Sequence, residues 1–135
     1  MTYSDGLFSQ TKINIGNGPR YVNVCLWRDK EEFHKQVEVE NIHSLACCET
    51  TKYYIYQSSD RILPVRKIID GYDKHCMATL HFVKDSWSID IISHEVTHFI
   101  LFYLGFCGVN LHNFTSEDEE WICCKQGELV SNTYR

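Results

Sequence analysis

From Trp87 to Leu104 no position is Gly or Pro. Between Ile91 and Leu104 only Ser93, His94, Glu95, Thr97 and His98 interrupt an apolar or aromatic run. A segment apolar on nearly every side predicts a buried central helix. Asp85, Ser86 and Ser88 offer N-cap side chains at its front, and Gly105 is the candidate C′ residue behind it. Met77 to Val83 reads as a strand just ahead of this helix, with an edge that could hold an extended peptide. Arg20 to Trp27 reads as another, since Val22, Val24 and Leu26 alternate with Tyr21, Asn23, Cys25 and Trp27 and both sets are largely apolar.

The remaining elements are shorter. Gly16-Asn17-Gly18-Pro19 is a turn. Asp29 can cap a helix over Lys30 to Val37, with Glu31 and Glu32 in its first turn. The β-branched and aromatic runs Leu45 to Cys48 and Tyr53 to Tyr56 predict a hairpin, and Pro64 to Ile69 a short helix or a loop. Residues 1–15 are polar and predict a loosely ordered start. Thr115 or Ser116 opens a last helix that runs to about Val130. A small, mostly antiparallel sheet followed by two long helices is an α+β arrangement. No repeat or linker divides it, so residues 1–135 form one domain.

The interruptions in the central helix carry the chemistry. His94, Glu95 and His98 make His-Glu-x-x-His, and residues four apart on a helix share a face. Two imidazoles at that spacing can reach one zinc ion at about 2.0–2.1 Å. Glu95 then lies beside the metal and can take a proton from a water held there. Imidazoles and a carboxylate inside an apolar helix would be unfavourable without a partner, and a metal supplies one.

Composition narrows the surroundings. The chain is 44% hydrophobic and 13% aromatic, which marks it as globular. A net charge of −5 and the absence of a basic stripe give no support for nucleic acid. The run Phe99 to Val109 is broken by Gly105 and Gly108 and falls short of the about 20 residues of a membrane span. Seven cysteines, an odd number without C-x-x-C spacing, behind an N-terminus lacking a basic or apolar export region, predict reduced, mostly buried thiols in the cytoplasm.

A catalytic zinc site usually holds three protein ligands and a water. His112 is one candidate, although Leu101 and Leu104 stand where the metzincin pattern needs Gly and His. The other is an acid of Glu117-Asp118-Glu119-Glu120, which would complete a His₂Glu set, whereas acids at a helix N-terminus are also favoured by the dipole alone. Asp90, one turn before His94, could orient a ligand imidazole. His112, Tyr103, His81 and Tyr134 are the candidate oxyanion helpers.

The segment SHEVTHFILFYLG, a loop, and EDEEWICCKQGEL, preceded by MATLHFVKD, resembles the small phage- and prophage-encoded zincin-like metallopeptidases over roughly residues 76–130. Those carry HExxH on one helix and a D-E-x-x-[AC]-Y-x-x-G-like segment on the next. Matching Gly127 and Cys123 to that segment implies Glu120 as the third ligand, with Glu119 one register away. Cys124 stands where the family has Tyr. The resemblance implies a zincin-like fold, a Zn²⁺ cofactor, hydrolysis of a peptide or protein substrate with Glu95 as general base, and, for a phage protein, the host cytoplasm. A second class fits the same residues: a non-catalytic protein that uses a zinc-stabilised scaffold to bind a partner.

Overall fold

Two strands whose side chains are apolar on both faces form the middle of a sheet covered on both faces. The structure, a computed structural model, describes residues 6–37, 43–56, 65–69, 73–108 and 115–134. Strand β1 is Leu7–Asn14, β2 Tyr21–Trp27, β3 Ala46–Thr50, β4 Tyr53–Tyr56, β5 Val65–Ile68 and β6 Cys76–Val83. The helices are α1 Lys30–Gln36, α2 Ile89–Phe106 and α3 Ser116–Tyr134. A four-stranded sheet has the order β1-β2-β6-β3, and β4 and β5 make a separate antiparallel pair. β2 and β6 run parallel, while β1 on β2 and β3 on β6 are antiparallel, so the α+β fold contains a mixed sheet.

Both faces of the central pair are used. Val22, Val24, Ala78, Leu80 and Phe82 join Ile92, Val96, Phe99 and Ile100 of α2 in the main core. On the opposite face Cys25, Trp27 and Val83 pack with Phe33 and Val37 around α1. Asp29 caps α1 by accepting from the Glu32 amide at 2.9 Å. By length and composition alone α2 would pass for a membrane-spanning helix. Here its apolar side lies against the sheet.

Several expectations need correction. Residues 7–14 are an ordered strand, recognisable only through pairing with β2, because Ile13 is its one buried residue. Residues 1–5 lie outside the described set. β3 and β4 form no hairpin with each other; β3 pairs with β6, and β4 pairs with β5, the segment expected as a helix or loop. Since β6 is bonded on both sides, the outer strands of the sheet, among the described residues, are β1 and β3. Gly105 sits inside α2, and Gly108, with φ +84°, makes the left-handed turn beyond Cys107. α3 continues to Tyr134.

Candidate metal centre

Ser88 starts α2 by accepting from the Ile91 amide at 3.3 Å, which sets the register of everything downstream. In that register Ile92, Val96, Phe99 and Tyr103 turn inward, and His94, His98, Leu101 and Gly105 form an exposed stripe. The histidines are therefore on the solvent side of the helix, not within an apolar interior. Glu95 alone of the motif is buried, at 6% exposure.

The two imidazole Nε2 atoms are 3.1 Å apart. Two nitrogens each about 2.0–2.1 Å from one tetrahedral ion would be separated by about 3.3–3.4 Å, so this pair fits a shared metal with a small adjustment. Glu95 Oε1 is 3.9 Å from His94 Nε2, and the ligand atoms of His94, Glu95 and His98 lie within 4.8 Å of one another. Burial raises the Glu95 pKa above the usual carboxylate value, and the neighbouring His94, His98 and His81 draw it back. The carboxylate field also reaches β3. It adds to burial in pushing the Cys48 thiol up to about 12 and the Cys47 thiol up to about 11. Strand β3 itself packs against α2.

α3 packs antiparallel on α2. Gln126 Nε2 donates to Thr97 Oγ1 at 2.7 Å, while Trp121 stacks on Tyr103 at 6.2 Å. Thr97, which also donates to the Ser93 carbonyl at 2.8 Å, is thus the link between the helices, a role its polar spacing did not announce. Beside it an open groove of about 710 Å³ is lined by Ile89, Ser93, Cys123, Gln126, Val130 and Tyr134.

The same packing decides where the acids go. Thr115 and Asp118 form a reciprocal capping box, each side chain accepting from the other's amide at 3.1 Å, so Asp118 serves the helix end. Glu120 Oε1 accepts from Cys124 Sγ at 3.4 Å and lies outside the His94–Glu95–His98 group. Glu119 is likewise outside it. With Trp121 level with Tyr103, these acids stand beside the last turns of α2, further along the axis from His98 than the roughly 7.5 Å that separates it from Tyr103 at about 1.5 Å per residue. Asp90 is an exposed first-turn acid that makes no described bond to His94. His112 lies outside the described residues.

The oxyanion candidates also disperse. His81 is fully buried on the α1 face, accepting at Nδ1 from Trp27 Nε1 (3.1 Å), with Nε2 3.5 Å from Glu49. Tyr103 Oη accepts from Arg20 at 3.0 Å, and Tyr134 stacks on Trp87. All seven cysteines are free, but only Cys25 is fully buried; Cys107, Cys123 and Cys124 are exposed.

Comparison with protein families, with curated proteins and with solved structures gives no match to this chain. The paired histidines and buried glutamate on one helix are what define the site.

Proposed function

We propose that the chain is a zinc-dependent hydrolase of peptide bonds, similar in its chemistry to the small phage-encoded zincin-like peptidases and acting in the host cytoplasm. The supporting observation is the 3.1 Å between His94 and His98 Nε2 beside the buried Glu95. His94 and His98 would hold the ion. When bound, it supplies a Lewis acid for the scissile carbonyl and a water with a pKa near ~7. Glu95 would accept a proton from the attacking water and return it to the leaving amine. The outer edge of β3, unpaired among the described strands, would hold the substrate backbone by strand addition, and the apolar groove beside Thr97 would take a side chain.

Glu120 is the proposed third ligand. To serve, it would release Cys124, and the start of α3 would slide toward His98 by more than a helical turn of about 5.4 Å. That displacement favours a second reading, in which the histidine pair holds an ion in a protein that binds a partner without cleaving it.

Metal content by mass spectrometry separates the two. The hydrolase reading expects one zinc per chain, lost in Glu120→Ala, retained in Glu119→Ala, with peptidase activity absent from a zinc-loaded Glu95→Gln protein. Zinc retained in Glu120→Ala without any peptidase activity would favour the binding protein. Wild type without zinc would end both.

A further inference from the structure

On the far side of α2 from the histidines, a cavity of about 380 Å³ opens between the β1–β2 turn and the two long helices. Its walls are the stacked rings of Tyr103 and Trp121, with ring centres 6.2 Å apart. Gly16, Gly18 and Pro19 form the turn side, and Arg20 and Lys125 bring two cations to it. The size falls within the range of small-molecule sites, about 300–1,000 Å³.

The two cations are held differently. Lys125 is mostly buried, its ammonium bonded to the Ile15 carbonyl and 3.4 Å from Glu128 Oε2. Arg20 is exposed, and its described partners are all neutral. Nη1 donates to Tyr103 Oη at 3.0 Å and reaches Cys107 Sγ at 3.9 Å, while the guanidinium lies over the Phe106 ring at 5.0 Å and the Tyr103 ring at 5.8 Å. A guanidinium carries five donors in a planar fork suited to a carboxylate or phosphate. Here aromatic faces and one phenol fix the fork at the mouth of a cavity, and among the described residues no carboxylate is paired with it. In a chain of net charge −5, an arginine so placed is a local positive focus. Trp121, 36% exposed, leaves part of its ring open for stacking, with Lys125 5.9 Å from its centre.

We infer that this cavity binds a small organic anion carried on a flat ring, with the ring against Trp121 and Tyr103 and the carboxylate or phosphate on Arg20. The site is independent of the histidine pair. It requires no metal and lies on the opposite side of α2.

The test uses the whole chain and two pairs of probes, benzoate against benzamide and uridine monophosphate against uridine. The readout is the indole N–H resonance of Trp121, resolved from those of Trp27 and Trp87. The expected result is a saturable shift of the Trp121 signal by at least one anion, with affinity about tenfold or more above its neutral counterpart. Which pair responds tells a carboxylate from a phosphate. Arg20→Gln should remove that preference with circular dichroism unchanged. No shift with either anion, or neutral probes that bind as well as charged ones, overturns the inference. The wild-type comparison decides even where Arg20→Gln fails to fold.

Discussion

The environment of each thiol sets its reactivity. Burial, with smaller contributions from nearby carboxylates, pushes Cys25 and Cys48 up to about 12, so almost no thiolate is present near neutral pH. Cys107, Cys123 and Cys124 stand in solvent. Brief treatment of the native protein with iodoacetamide at pH 8 should therefore alkylate Cys107 and Cys123, reach Cys124 more slowly because its hydrogen bond to Glu120 raises its pKa, and spare Cys25 and Cys48, as peptide mass spectrometry would report. Rapid labelling of Cys48 would mean that β3 leaves α2 in solution, and the electrostatic link between that edge and Glu95 would fall with it. Glu95 shows the same principle in a carboxylate: burial penalises its charge, and three nearby imidazoles offset part of the penalty.

Within α2, the cap and the motif are linked by register. Ser88 fixes the first turn, and two turns later the histidine pair faces solvent while Glu95 is buried. Ser88→Ala removes the acceptor for the Ile91 amide and should lower stability by about 1 kcal/mol, read from urea unfolding. An unchanged midpoint would show that packing on Ile92, Val96 and Phe99 suffices to set the helix start. Elements such as α2, β2 and β6 were legible in sequence because their own residues determine them. Both alternating sets of β2 are apolar, and β6 is buried along nearly all its length, as a doubly covered strand requires. β1 was not legible, because its exposed Phe8 to Lys12 read as a polar tail until β2 supplies a partner. β3 and β4 look like a hairpin because they are close in sequence, yet Thr51-Lys52 lacks the Gly or Asn chemistry of a tight two-residue turn. Of the candidate site, His94, Glu95 and His98 depend on one helix and could be read directly. Glu120 depends on how α3 sits against α2, and the contacts that decide it, Trp121 on Tyr103 and Gln126 on Thr97, join residues distant in sequence.

For the whole molecule, the proposed metal site is tied to folding. The histidine pair is brought to 3.1 Å by the helix, so an ion held there would bind the folded chain in preference to the unfolded one. At a free zinc concentration of 100 times the dissociation constant, that preference stabilises by about 2.7 kcal/mol. For a chain of this size the melting temperature should rise by about 10 °C. The seven cysteines complicate the reference, since an unfolded chain can also bind zinc through thiolates and reduce the effect. His94→Ala and His98→Ala keep every thiol, so they share the unfolded-state term and isolate the site. Zinc should raise the melting temperature of wild type, and of Glu95→Gln if that residue is a base and not a ligand, and should leave both histidine variants unmoved or, through the thiolates of the unfolded chain, lowered. A shift of equal size in all four proteins would assign the metal to the cysteines. The His94–His98 stripe would then be only the polar face of a core helix.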